Sequence, residues 1–292
     1  MASQGTPFVA LLEPSNLDGY DPKLPRSEQP PSIPATFLDA MEVRQRVFVE
    51  EQKVPADAEF DQDDARCCHF VVYASVNQTV EPEERDAAGN VVKPRRSESR
   101  SQPVGTVRIV PFPHPPHPDP GAAYAMRDGS FVRIGTMGED GTVVPADSER
   151  GQREVGEEDA LPNFVEDRRT TFHDGKEPYV KLGRLAVVKE YRRHKLGRLL
   201  VTTALEWMRE HPTYFNPSVA TMGFEQLGID KASDIPKFNG LVCAHAQTQA
   251  STAWKMMGFV VDEGMGSWWE EGIEHVGMFK RLQVTPEQPL PV

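Results

Sequence analysis

The sequence predicts an α/β fold, and three observations carry that reading. Between Tyr179 and Met208 an apolar, β-rich run (Leu182 to Val188) passes through a basic turn into an amphipathic helix. The helical set is Leu196, Leu199, Leu200, Ala204, Leu205 and Met208, which follows the 3.6-residue period. Phe8 to Leu12 is a continuous apolar run of the length a buried strand takes, and Cys243 lies in another apolar strand pattern.

The first strand is expected at Phe8–Leu12, followed by an extended, proline-bearing arm to Pro34. The 292 residues could hold one large domain or two small ones. Three polar, proline- or glycine-rich stretches interrupt the apolar blocks, at 78–103, 111–178 and 211–239. The first reads as an enlarged, disordered hairpin loop. The second opens with PFPHPPHPDPG, whose prolines block helix and ladder pairing, and reads as a disordered surface segment or a lid. In the third, Met222-Gly223-Phe224 and Leu227-Gly228-Ile229 suggest that part of it packs down.

Composition excludes several classes. A net charge of −12 argues against sequence-independent nucleic-acid binding, which needs a dense cationic surface. Cys67, Cys68 and Cys243 have neither disulfide-scaffold number nor zinc spacing. His114 and His117, flanked by prolines, lack a nearby ligand pattern, so no metal is expected. No apolar run reaches membrane-span length, and no basic-then-apolar leader opens the chain. A cytoplasmic setting is the expectation, with the nucleus open.

The strand–turn–helix is where chemistry shows. Arg192, Arg193, His194 and Lys195 precede a helix with Gly197 near its start, so cations and unpaired amides meet at one helix N-terminus. Such a place suits a diphosphate. The turn is not a Walker A loop, and GxGxxG is absent after the strand.

It resembles the acetyl-CoA loop of the GNAT N-acetyltransferase superfamily, [Q/R]-x-x-G-x-[G/A], with Arg192 first and Gly197 last. Lys195 stands where the first glycine usually does; a lysine can stay there if the local φ is negative, and its ammonium would add a phosphate contact. Three further blocks resemble the bacterial ElaA-type branch, in the family's order. FLDAMEVRQRVFVEEQKVPADAEFDQDDARCCHFVVYA matches a first helix, loop and strand, and GTVRIVPFP a third strand bearing Arg108. VCAHAQTQASTAWKMMGFVVDEGMGSWWEEGIEHVGMFKR matches the last strands and helix, with the Gly258-Phe259 pair and the run around His275.

The resemblance implies a GNAT fold over 35–283, flanked by the arm 1–34 and a tail 284–292. That fold is a mixed, mostly antiparallel sheet of six or seven strands with about four helices, splayed between its fourth and fifth strands. It implies acetyl-CoA as cosubstrate. Leu185, Ala186 and Val187 would offer backbone amides to the thioester arm. Arg192, Arg193, His194, Lys195, Leu196, Gly197 and Arg198 would hold the diphosphate, and Gln247 and Thr252 the pantetheine end. Four residues before Gly258, where many members place a tyrosine acid, stands Trp254.

Acetyl transfer to an amine needs a neutral nucleophile. At pKa near 10.4 only about one alkylamine in a thousand is neutral at pH 7, a handicap of roughly 4 kcal/mol. A base therefore helps, and so does an N–H donor for the carbonyl oxygen. The candidates for catalysis are His275, Glu51 and Asp61. Glu51, Asp61, Asp63, Arg108 and Trp268 are the candidates for holding the acceptor, with Glu59 and Asp64 in the same acidic loop. His69 reads as structural. The partner expected is a small-molecule amine such as an amino sugar, a polyamine or an arylalkylamine, with no nucleic acid and no membrane. A homodimer is left open, as are a protein lysine or N-terminus as acceptor and a noncatalytic acyl-CoA-binding regulator.

Overall fold

One eleven-stranded sheet organises the chain, in a computed structural model that describes residues 7–127, 130–145, 166–217 and 236–284. In chain order the strands are β1 (Phe8–Leu12), β2 (Cys68–Glu81), β3 (Arg96–Val110), β4 (Ala122–Arg127), β5 (Ser130–Met137) and β6 (Val143–Pro145). They continue with β7 (Val180–Val187), β8 (Leu241–Gln247), β9 (Val260–Val261), β10 (Ser267–Glu270) and β11 (Ile273–Arg281). The order across the sheet is β1-β2-β3-β7-β8-β11-β10-β4-β5-β6, and β9 pairs β11. Only β7 with β8 and β10 with β4 run parallel.

The expectation of six or seven strands therefore describes the run from β1 to β10, and the second insertion lengthens it. Instead of a structureless loop, that insertion supplies β4, β5 and β6 as an added edge. The first insertion is likewise a ladder rather than a disordered loop. β2 and β3 stay paired out to Glu81 and Arg96, and a small ribbon (Glu84–Arg85 with Val91–Lys93) closes the tip. Of the third insertion, Phe215 and Phe238 join the core, whereas Met222 to Ile229 lie outside the described residues.

The described residues hold three α-helices. These are α1 (Ala35–Arg44), which continues as a π-helical stretch Gln45–Glu51, α2 (Leu196–Glu210) and the short α3 (Ser251–Met256). None is long and apolar enough to cross a membrane. α2 buries the stripe read from the sequence, including Leu200, Val201, Ala204 and Met208, against Val107, Ile109 and Leu182. Each such side chain contributes about 1.5–3 kcal/mol of transfer free energy. On the α1 side, Phe37 and Met41 cluster with Leu17 and Ile33. Farther along the sheet, Tyr179, Cys243, Met265, Trp268 and Phe279 form a separate cluster. The three cysteines are buried free thiols.

Charge, not only apolar area, joins α1 to the sheet. Arg44 Nε donates to Glu59 Oε1 at 2.7 Å and its Nη1 to Asp64 Oδ1 at 2.6 Å. Arg108 on β3 donates to both Asp61 oxygens, at 2.7 and 2.6 Å, and also to Asp64 at 2.6 Å. Arg184 on β7 reaches Glu59 at 2.9 Å and Asp61 at 3.0 Å. Three cations thus meet three carboxylates in a nearly water-free place, where Arg44 and Asp64 are each 1% exposed. Burial opposes the Asp64 charge, but Arg44 and Arg108 outweigh it and hold the carboxyl well below its ordinary range.

His69 completes this wall, with Nε2 donating to the Asp64 carbonyl at 2.8 Å and Phe37 packed edge-on against its ring. Burial, with help from Arg44 and Arg108, pushes its pKa down to about 4.

Two consequences follow for stability. Arg44→Met leaves three buried carboxylates facing two cations, Arg108 and Arg184, so urea unfolding should show a loss of about 3–5 kcal/mol; a loss under about 1 kcal/mol contradicts the network. Because folded His69 stays neutral while the unfolded chain protonates near pH 6.5, its stabilisation is lost as pH falls from there towards 4. Between pH 7 and pH 5 the wild-type loss should exceed that of His69→Gln by about 2 kcal/mol, read from urea titrations at both pH values. Equal losses would contradict a neutral buried imidazole.

Candidate functional site

β7 parts from β8 midway. The parallel register runs Val180 with Val242, Lys181 with Cys243 and Leu182 with Ala244, and then stops. On its other edge β7 stays with β3 as far as Gly105 and Val187. Along that edge β3 advances from Thr106 to Arg108 while β7 spans Gly183 to Ala186, so β7 carries one extra residue. A bulge of this kind bends its strand. Arg184 sits in it with φ +52°, a region costly for any residue with a Cβ. Its guanidinium is held by Glu59 and Asp61.

The residues from Gly183 to Val187 thus lack a β8 partner, in the middle of a sheet. Unpaired backbone there needs water or a ligand. Leu185, Ala186 and Val187, named from the sequence, lie on this lip.

The basic turn follows directly. Leu199 N donates to Lys195 O at 2.9 Å, so the N–H groups of Leu196, Gly197 and Arg198 precede the first rung of α2. No side chain caps this end. Arg193, His194, Lys195 and Arg198 are exposed around it. The negative φ that would suit a lysine is not what Lys195 adopts: its φ is +61°, with Arg193 at +68°. Lysine occupies the left-handed conformation that glycine takes freely, because the turn needs it.

Arg192 and Glu51 meet each other. Arg192 makes a bidentate pair with Glu51, both contacts 2.6 Å, and donates to Val187 O at 2.9 Å. This clamp ties the end of the π-helical stretch to the turn, and the pairing lowers the Glu51 pKa, which weakens it as a base. Asp61 and Arg108 are spent on the buried network, and Asp63 is paired with Arg66 at 2.6 Å. The acidic loop therefore presents none of these charges to an incoming amine.

The β8 lip carries the groups that are less committed. Gln247 exchanges hydrogen bonds with Gln52, one of them 2.9 Å. His245 Nδ1 lies 3.2 Å from Glu270 Oε1, the oxygen that also accepts the Trp268 indole N–H at 2.8 Å. His275 Nδ1 lies 2.8 Å from Ile273 O, while its Nε2 is 3.8 Å from Glu270 Oε2. Burial opposes the Glu270 charge, yet His275, His245 and Trp268 hold its pKa well below the ordinary value. His245 Nε2 is buried without a hydrogen-bond partner. Cross-strand register places His275 opposite both Gln247 and Trp268.

Glu270 and His245 were not read as site residues from the sequence. The signal was Ala244-His245-Ala246-Gln247, where alternation puts two polar residues on one face of a strand. Thr252 is exposed on α3, and Trp254 is core, packed edge-on against Phe259 at 4.9 Å.

The acetyltransferase (GNAT) family model matches residues 163–220, the stretch holding the bulged strand, the cationic turn and α2. The match shows a GNAT-like segment over these residues, about a fifth of the chain. No curated protein matches the sequence. Among solved structures, this chain is similar to a Lactobacillus plantarum protein assigned as an N-acetyltransferase (18% identity, 96% of this chain and all of that one, TM-score 0.44). It is also similar to an acyl-CoA N-acyltransferase from Pseudomonas aeruginosa (15%, 94% and 99%, 0.40) and to Escherichia coli ElaA (14%, 94% and 100%, 0.41).

The turn generates its own test. Lys195→Gly removes the left-handed penalty at some entropic cost, so thermal unfolding should show a gain of about 0.5–1 kcal/mol. A loss of stability would mean the turn does not hold this conformation.

Proposed function

We propose that this protein is an acetyl-CoA-dependent N-acetyltransferase acting on the primary amine of a small molecule. The diphosphate of the cosubstrate is taken by the free amides and exposed cations at the start of α2. Its pantetheine arm enters between β7 and β8 and pairs with the bulged strand, whose N–H groups polarise the thioester carbonyl.

One observation carries the acceptor side. Glu270 Oε2 and His275 Nε2 stand 3.8 Å apart. With His275 donating from Nδ1 to Ile273 O, its Nε2 holds a lone pair. With His245 donating from Nδ1 to Glu270, its unpartnered Nε2 is an acceptor too. A carboxylate and an imidazole lone pair facing each other across 3.8 Å match the N–H donors of a primary ammonium. Glu270 would hold the cation, and His275 would take its proton before the amine attacks the thioester carbon. The departing sulfur then takes a proton from solvent, since Trp254 cannot serve as the acid. A thiol pKa near 8.5 makes departure as thiolate tolerable.

That buried tryptophan also favours a second reading, a noncatalytic acyl-CoA-binding module. Thiol release from acetyl-CoA across a panel of amines separates the two. Amine-dependent release is expected. Glu270→Gln should raise KM for cationic amines at least tenfold at unchanged acetyl-CoA affinity, and His275→Ala should lower kcat by about 10²-fold. Calorimetric binding of acetyl-CoA with no release for any amine would favour the module.

A further inference from the structure

The second insertion places a group of ligating side chains away from the acyl-transfer site. His117 lies in its first limb, and Asp167 and His173 lie in its second, 50 and 56 residues further along. His117 Nε2 is 2.9 Å from His173 Nδ1 and 3.7 Å from Asp167 Oδ2. The three ligand atoms all fall within 4.8 Å of one another. Both imidazoles are 4% exposed.

Tautomers are set by the surroundings. His173 Nε2 lies 2.9 Å from Glu177 O, a carbonyl that can only accept. The His173 proton therefore sits on Nε2 and its Nδ1 lone pair faces the cluster. An imidazole that ligates a metal commonly spends its other N–H in this way. Among the described residues His117 Nδ1 has no hydrogen-bond partner, and Nε2 is the ring atom that faces the cluster. Asp167 Oδ2 accepts the His117 backbone N–H at 2.7 Å and Oδ1 the Arg168 N–H at 2.7 Å, which fixes the carboxylate at the edge of the rings with a lone pair left on Oδ2.

The limbs are held in place independently of the cluster. Arg168 donates to Pro118 O at 2.7 Å and to Gly264 O at 2.9 Å. Asp262 accepts from Thr170 Oγ1 at 2.6 Å and from the Thr171 and Phe172 amides at 2.9 and 2.8 Å. Beneath, Tyr179 stacks on His117 at 5.5 Å between ring centres, and Phe279 packs against both histidines. A cavity of about 50 Å³ lined by Asp167, His173 and Gly175 adjoins them, with room for water.

We propose that His117, Asp167 and His173 bind one zinc ion, with water as fourth ligand, which staples the two limbs of the insertion together over the sheet. Two imidazoles, a carboxylate and water form a donor set that zinc accepts tetrahedrally. At zinc–ligand distances near 2.0–2.1 Å, neighbouring donors lie about 3.4 Å apart. The separations of 2.9 and 3.7 Å bracket that value, and the third pair, His173 Nδ1 and Asp167 Oδ2, starts within 4.8 Å and closes as the ion binds. The ion neutralises Asp167 and closes a loop of more than 50 residues, so it acts on the stability of this region and not on acyl transfer.

The test uses the full-length chain, stripped with a chelator and titrated with Zn²⁺ and, separately, Co²⁺. Elemental analysis after desalting should give one zinc per chain, and Co²⁺ should produce the intense visible absorption of tetrahedral coordination. Zinc should raise the melting temperature of the stripped protein. Asp167→Asn and His173→Gln should each lose the bound zinc and the cobalt band while keeping acetyl-CoA affinity, which shows that they fold. The proposal is overturned if the unmutated chain holds no zinc and gives no cobalt band, or if His173→Gln retains zinc at the same stoichiometry. Because acetyl-CoA binding is read on the same samples, a failure here is distinct from a failure of the acetyltransferase reading.

Discussion

The buried exchange of charge among Arg44, Arg108, Arg184, Glu59, Asp61 and Asp64 is the constraint on which the rest depends. It joins three elements distant in sequence: α1, the interior strand β3 and the bulge of β7. A residue other than glycine stays at φ +52° only when its surroundings overrule the local preference. Two carboxylates gripping the Arg184 head supply that overruling force. The bulge turns β7 away from β8, and the gap between them exists because the strand cannot relax back into register. Such a network is expensive to desolvate, and apolar packing could replace it at little loss of stability. What apolar packing would not supply is a directional hold on one backbone kink.

Electrostatics divides the molecule. In a chain of net charge −12, exposed Arg193, Lys195 and Arg198 stand together at the start of α2, where the helix adds partial positive charge of its own. The Glu51 pair with Arg192 shapes this turn without cancelling it, since Arg193, His194, Lys195 and Arg198 remain exposed. Across the gap the polarity reverses to Glu270 and the two imidazoles beside it. An anionic diphosphate and a cationic amine would thus be drawn to opposite lips of one cleft.

How much of this was legible in the sequence depends on whether the signal was local. The strand–turn–helix and the stripe from Leu196 to Met208 were readable because period and charge are properties of neighbouring residues. The first strand stands at Phe8–Leu12, but as a half-exposed edge strand and not the buried one that a continuous apolar run predicts. The acidic loop was readable as acidic but not as internally neutralised, because its partners Arg44, Arg108 and Arg184 come from three other elements. The left-handed turn at Lys195 was hidden because its side chain disfavours that conformation. The second insertion was read as structureless from its prolines, yet those prolines occupy the crossing before β4, and the strands follow. His245 and Glu270 sit 25 residues apart, and only the β8-β11-β10 pairing brings them to one place.

The account stands or falls on whether the parted half of β7 is open backbone that acetyl-CoA occupies. Amide hydrogen exchange, resolved along β7 by NMR with and without acetyl-CoA, measures this directly. Among the amides between Gly183 and Val187 that do not bond to β3, the account predicts ready exchange in the free protein and at least tenfold slower exchange with the cosubstrate bound, with unchanged exchange between Val180 and Leu182, where β8 is already paired. Slow exchange along the whole strand before any ligand is added, or none of it altered by saturating acetyl-CoA, would contradict it.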